Sequence, residues 1–399
     1  MRNGKKTFTL AALLAAAALL PGAALLPGAA LATVHFQCPA TVIDNASGLT
    51  DDPAGNVYCK HLAAGDGFAA MADGKVLYTF GFKDVTGIPS EDVMAAGMLG
   101  AQFAAPTLTF PEASQVYLTI TNVGMVMRPD LFDPHSLHWH GFPNMAPIFD
   151  GEPMSTISIN MGSSLSYYYV TPSPGTYMYH CHVEATEHMQ MGMLGNLYVT
   201  PSQDGTAIGG YSQFAYNDGD GSTGYDASYP IQLVSFDPLF HELHINVQPL
   251  PFANMKDTYP MINGRGYPDT INPDPLPAPA ENNLQIAQPV PALITATQGE
   301  RILLRISSLS TVDYYTVGLS GLKMQIVGKD ARLLRSTGGE NLSYMTTSVT
   351  LGGGQSVDAL IDTAGVAAGT YFLYAKNLNH LSNDKEDFGG MMTEIVITP

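Results

Sequence analysis

Short runs of β-branched and aromatic residues recur along the chain and are cut off by Gly, Pro and Asn. Positions 76–82, 115–122, 156–159, 165–170 and 195–200 carry the pattern in the first half. Positions 231–236, 301–306, 315–319, 323–327, 356–361, 370–375 and 393–397 carry it in the second. Runs of this length and chemistry, bounded by turn formers, predict the strands of β-sandwiches. Between the two sets, residues 201–229 are rich in Gly, Ser, Asp and Tyr and have little apolar periodicity, which predicts a linker or long surface loop. The Pro-rich stretch 273–279 predicts a loop within the second set. The expected fold class is therefore all-β with two sandwich domains, over residues 33–200 and 230–399. The halves also answer one another: Pro174-Gly175-Thr176-Tyr177 matches Ala368-Gly369-Thr370-Tyr371, and residues 116–120 match 302–306. Internal duplication is the expectation.

Composition narrows the function. With 40 Gly and 28 Pro the chain is punctuated too often for long helices, while 45% hydrophobic residues suffice for real cores. The formal net charge is −18, from 17 Lys+Arg against 35 Asp+Glu, which excludes a polybasic nucleic-acid or anionic-membrane binder. At the start, Arg2, Lys5 and Lys6 precede an Ala/Leu-rich run ending in Ala30-Leu31-Ala32. That order predicts a signal peptide over residues 1–32, a mature chain from Thr33, and an exported protein, periplasmic or extracellular, with no membrane span. Of the three cysteines, Cys38 and Cys59 are placed to form a disulfide in an oxidising compartment. His35 and His61 beside them leave a four-ligand metal clip as the competing reading.

Six of the 11 histidines fall in two short stretches. The first runs Asp133-Pro134-His135-Ser136-Leu137-His138-Trp139-His140-Gly141. Alternation along a strand puts His138 and His140 on one face and His135 on the other. In the second stretch, Tyr179-His180-Cys181-His182 continues to His188 and Met193. Here His180 and His182 share a face, and Cys181 points away. Cys181 with His135 and His188 supplies two imidazoles and a thiolate, the donors of a trigonal blue-copper site, and Met193 is the expected weak axial sulfur. A zinc site would have little use for that Met. His138, His140, His180 and His182 are the expected ligands of a second copper site.

These motifs resemble those of the multicopper oxidase family, built of cupredoxin domains and including laccases, cuprous oxidases and, more distantly, copper nitrite reductases. His135-x-x-His138-x-His140-Gly141 is similar to the family's first ligand motif, and His180-Cys181-His182 with His188 and Met193 to its second. The resemblance implies two cupredoxin-like Greek-key sandwiches. It also implies type 1 copper at His135, Cys181, His188 and Met193, and type 2/type 3 copper at His138, His140, His180 and His182. The activity it implies is one-electron oxidation of a small-molecule or metal-ion donor, with dioxygen reduced at the second copper site. Residues from Met261 through Gly321 are similar to the copper-free middle domain of three-domain members.

The chain departs from the family where the cluster needs two His-x-His pairs from each of two domains. Aligned halves place Tyr315, Gly318 and Ser320 opposite His135, His138 and His140, and Tyr374, Ala375 and Lys376 opposite His180, Cys181 and His182. Three completions are open: two chains pooling their pairs in a homo-oligomer, a smaller centre completed by His241, His244 or His61, or a type 1 electron carrier with idle histidines. A homo-oligomer is the expectation. Among other residues, Met145, Met154, Met161, Met189 and Met191 are expected to pack rather than guide Cu(I), and Trp139 to pack in the core. Glu184 and Glu187 are read as solvated loop charge, with Glu187 a candidate to orient His188, and Asp133 as a hydrogen-bond acceptor for a ligand imidazole.

Overall fold

The structure, a computed structural model, describes residues 37–39, 56–143 and 145–399. The expected leader over 1–32, the expected start at Thr33, and His35 lie outside the described residues.

In the first half, strands β1 (Val57–Ala70), β2 (Val76–Asp84), β3 (Ala105–Pro111), β4 (Gln115–Gly124), β5 (His138–His140), β6 (Ser164–Val170), β7 (Gly175–His180) and β8 (Leu194–Thr200) form two sheets. Their orders are β2-β1-β4-β6 and β3-β8-β7-β5. Alternation decides what each strand buries. Along β4, Val116, Leu118 and Ile120 are fully buried in a cluster with Phe80, Trp139, Tyr167, Tyr179 and Leu197. Each such side chain contributes roughly 1.5–3 kcal/mol relative to exposure. A short helix α1 (Val93–Gly97) packs on β1 and β4.

After a two-stranded hairpin of β9 (Gln213–Phe214) and β10 (Gly224–Tyr225), the second half begins with β11 (Ala227–Phe236). It continues through β12 (Tyr259–Ile262), β13 (Ile294–Thr297), β14 (Arg301–Ser308), β15 (Tyr315–Leu319), β16 (Met324–Lys329), β17 (Arg332–Leu333) and β18 (Tyr344–Thr346). The last strands are β19 (Ser348–Leu351), β20 (Gln355–Asp362), β21 (Gly369–Ala375) and β22 (Met392–Thr398). One sheet runs β12-β11-β14-β20-β16-β17, with β18 on β16, and the other β13-β22-β21-β15-β19. A separate apolar cluster, including Leu304, Ile306, Val317, Ile326 and Ile395, fills this sandwich.

The two halves repeat one topology. β1 lies parallel to β4 as β11 does to β14, and β3 lies parallel to β8 as β13 does to β22. β7 is antiparallel to both β5 and β8, and β21 is antiparallel to both β15 and β22. The fold is the pair of cupredoxin-type sandwiches expected.

Two local expectations are corrected, and one strand escaped the pattern. Residues 156–159 form no strand, because Ile159 makes only an isolated bridge to His135. The 14-residue β1 escaped the pattern because Ala and Gly have low strand propensity. It is fixed instead by having β2 and β4 on either side, so closely packed that a Cβ on Gly65 would meet Val123 at 2.7 Å. The segment between Cys181 and His188 is not an open loop but leads into helix α2 (Ala185–Met191). A third helix, α3 (Pro238–Ile245), starts at Asp237, whose carboxylate accepts from the amides of Leu239 and Phe240. Among the described residues, no helix is long and apolar enough to cross a membrane. Cys38 and Cys59 are joined in a disulfide with Cα atoms 5.8 Å apart, so the metal-clip reading fails. His61 meets the Thr121 hydroxyl at 2.7 Å.

Candidate metal centre

The site is built on the pairing of β5 with β7, where His138 faces His180, Trp139 faces Tyr179 and His140 faces Met178. Trp139 turns inward and stacks on Tyr169 with ring centroids 3.8 Å apart, anchoring the strand that carries the histidines. The neighbours of each inward ring point to the opposite face.

On one face lie His135, Cys181 and His188, all fully buried, with one donor atom each within 4.8 Å of the others. The Cys181 sulfur is 3.2 Å from Nδ1 of His188 and 3.9 Å from Nδ1 of His135, and the Ser136 amide donates to it at 3.5 Å. Nε2 of His188 lies 3.2 Å from the Asp133 carboxylate, so Asp133, rather than Glu187, orients this ring. Glu187 accepts instead from Nε2 of His244 at 2.8 Å. Helix α2 delivers His188, and Gly192, with φ of 117°, ends the helix by donating to the carbonyls of His188 and Met189. Met193 follows at once, buried in the same cluster as Cys181, and its carbonyl accepts from the Cys181 amide at 3.1 Å.

The electrostatics favour a thiolate. Burial alone would push the Cys181 thiol up, but the charge on His188 and hydrogen bonds from His135 and His188 bring it down to about 6. Burial would lower His188, yet Cys181 and Asp133 hold it well above its ordinary value. Both shifts run toward the charge-separated thiolate and imidazolium forms. With metal, the same atoms form a soft donor set of one sulfur and two imidazole nitrogens, beside a thioether residue.

On the other face, His138, His140, His180 and His182 gather around a cavity of about 290 Å³. Nδ1 of His138 donates to the Asp150 carbonyl at 2.5 Å and lies 3.4 Å from its carboxylate, while Nδ1 of His180 donates to the Cys181 carbonyl at 2.9 Å. Both rings are thereby left with Nε2 as the free donor. His140 Nδ1 is 3.3 Å from His180 Nε2, and the His182 ring centre is 5.0 Å from that of His138. Burial lowers His138 and His140, and takes His180 down to about 3, so these rings are neutral and ready to ligate. Ala185, Met189, Leu309, Ser310, Gly353 and Gly354 complete the wall, the last four from the second sandwich.

The other histidines offered to complete this site do not reach it. His241 is held between the carbonyls of Tyr78 and Gln190, at 2.6 and 3.0 Å, and the His244 ring between Glu187 at Nε2 and Arg128 at Nδ1. His380, which was not among those candidates, also lies elsewhere, 3.7 Å from Asp313. Sequence reasoning missed Asp150 and the two loops of the second sandwich, none of which carries a local ligand pattern.

Two multicopper oxidase family models match residues 86–204 and 241–396. The chain belongs to the multicopper oxidase family. Copper is accordingly its metal, and both faces of the β5–β7 pair offer donors that suit it. A blue copper oxidase from Nitrosomonas europaea is similar in fold, with a TM-score of 0.63 at 21% identity over 84% of this chain and 85% of that one. A copper nitrite reductase from Nitrosomonas europaea has a TM-score of 0.57 at 15% identity, over 86% and 94% of the two chains. In sequence, multicopper oxidase VdtB of Byssochlamys spectabilis is 33% identical over 100 residues, 25% of this chain and 13% of that protein. Multicopper oxidase MmcO of Mycobacterium tuberculosis is 31% identical over 84 residues, 21% of this chain and 15% of that protein. The matched stretches thus span less than a fifth of these relatives.

Proposed function

We propose that this multicopper oxidase is an exported copper-dependent oxidoreductase that takes electrons singly from a small-molecule or metal-ion donor and passes them to dioxygen. In this reading His135, Cys181, His188 and Met193 would hold type 1 copper, and the opposite face, lined by His138, His140, His180 and His182, would hold the copper that supplies the dioxygen chemistry. The observation that carries it is the position of Cys181. Its sulfur meets His135 and His188 on one side of the strand, while its chain neighbours His180 and His182 face the cavity on the other. Two consecutive residues therefore link the two donor sets through covalent bonds.

When bound, copper supplies the one-electron chemistry. The chain supplies position and exclusion of water: full burial of Cys181 and His188 keeps the sulfur dry, Asp133 fixes the His188 ring, and Asp150 fixes the His138 ring. The Cys38–Cys59 disulfide supports export, because such bonds persist in oxidising compartments. The separation of sheets between residues 57–200 and 227–398 supports two domains joined near 201–229.

The test is dioxygen uptake by the copper-loaded full chain with phenolic and metal-ion donors, alongside its visible spectrum. Intense blue absorption with donor-dependent uptake is expected. Blue absorption without uptake would make the protein an electron carrier and overturn the oxidase reading.

A further inference from the structure

The histidine face does not fit a trinuclear cluster within one chain. A trinuclear cluster of the kind the motifs imply calls on four His-x-His pairs, two from each of two domains. Four imidazoles line the cavity, and the second sandwich adds only Leu309, Ser310, Gly353 and Gly354, none with an imidazole, thiolate or carboxylate. Every other described histidine is held elsewhere, as shown above for His61, His241, His244 and His380.

The four imidazoles are also unequal. One donor atom each from His138, His140 and His180 lies within 4.8 Å of the other two, and His182 is outside that triad. The 3.3 Å between His140 Nδ1 and His180 Nε2 matches two ligands of one ion with metal–nitrogen bonds of about 2.0–2.1 Å. His140 is turned this way by the second sandwich. Gly354, with φ of 86°, passes so close to its Nε2 that any side chain there would collide with it, which leaves Nδ1 on the cavity side. His138 and His180, with Nδ1 committed to carbonyls, present Nε2.

We infer that each chain holds a single copper ion on its histidine face, ligated by His138, His140 and His180 with the fourth position open to the cavity, so that a loaded chain carries two coppers. This deepens the oxidase reading and rests on it for the identity of the metal. His182 lines the cavity without being needed for the ion. Gly353 and Gly354 of the same chain form part of the wall beside these ligands.

Copper content, EPR and solution mass of the copper-loaded full chain test this, for the wild type and for His140→Ala and His182→Ala. Two coppers per chain are expected, one blue and one with a mononuclear, non-blue EPR signal. His140→Ala should fall to one copper while keeping the blue band, which reports an intact fold, and His182→Ala should keep both. More than two coppers per chain, an EPR-silent coupled pair, or appearance of the second copper only in an oligomer would overturn the inference. So would one copper in the wild type, or equal loss in both variants. Dioxygen uptake plays no part in these outcomes, so failure of the oxidase reading would show separately, as two coppers without turnover.

Discussion

The two sandwiches share a register but not a chemistry. In the first, β5 and β7 pair His138 with His180 and Trp139 with Tyr179; in the second, β15 and β21 pair Gly318 with Tyr374 and Leu319 with Leu373. The next residue along, Cys181 in the first and Ala375 in the second, is fully buried in both. Where the first sandwich has His182 beside His180, the second has Lys376, whose ammonium donates to the Tyr374 hydroxyl at 2.8 Å and sits 4.6 Å over its ring. Strand pairing depends on backbone bonds and the inward apolar residues, which both halves keep. Copper chemistry depends on a few side chains at the ends of the strands, which only the first half has.

The largest break in the comparison is at its sulfur. Cys181→Ser should abolish the intense blue absorption and donor oxidation, while leaving the non-blue copper of the histidine face in place by EPR. The reciprocal change, Ala375→Cys, should create no blue band, because no imidazole pair flanks that position. A copper–thiolate band in Ala375→Cys would show that the second sandwich retains a hidden donor set.

Packing should respond more evenly. Trp139 and Leu319 occupy the same register position, both in apolar cores. Truncating them should cost about 3–5 kcal/mol for Trp139→Ala and about 2–5 kcal/mol for Leu319→Ala. Denaturant midpoints of the metal-free protein check this. The difference lies in the spectrum, since only Trp139→Ala should also weaken or shift the blue band.

Much of this was legible in the sequence because strand alternation is a local rule. His-x-His on β5 and His-Cys-His at the end of β7 assign their faces without any tertiary information, and the structure places them so. The two sandwiches were legible for the same reason. What was not legible is either too short or too distant. Helix α2 has seven residues, and its N-cap, Glu184, sits in the left-handed region with no capping hydrogen bond, so no start signal marks it. Asp150 and Gly354 reach the histidines only through folding, from segments whose own sequence reads as turn. Asp133 stood next to the motif, but that it meets His188 rather than His135 needed the three-dimensional chain.

Asp133→Asn sharpens the type 1 side by a smaller step. The amide keeps the shape but removes the charge facing His188, and loss of such an outer partner typically weakens metal affinity by about 10–100-fold. A competitive copper titration followed at the blue band should show this, with the histidine-face copper unchanged. Equal weakening of both coppers would mean that the change acts through the fold.

The smallest effect belongs to the second sandwich. Tyr315, aligned with His135, donates to Ser235, and Ser235 in turn donates to Asp257, which also accepts from Gln190 of α2 at 3.1 Å. A half-buried acid thus terminates the chain that begins where the first sandwich has a ligand. Burial, reinforced by the charges of Asp237 and Asp313, pushes Asp257 up to about 7 despite its hydrogen bonds. The native state therefore binds a proton that the unfolded chain, with an ordinary carboxyl near 3.8, releases. Stability from this group is fully present below that value and is lost as pH rises through about 7. Asp257→Asn should flatten the fall in stability across this window in urea titrations at stepped pH, without altering the blue band. An unchanged slope would place the titrating group elsewhere.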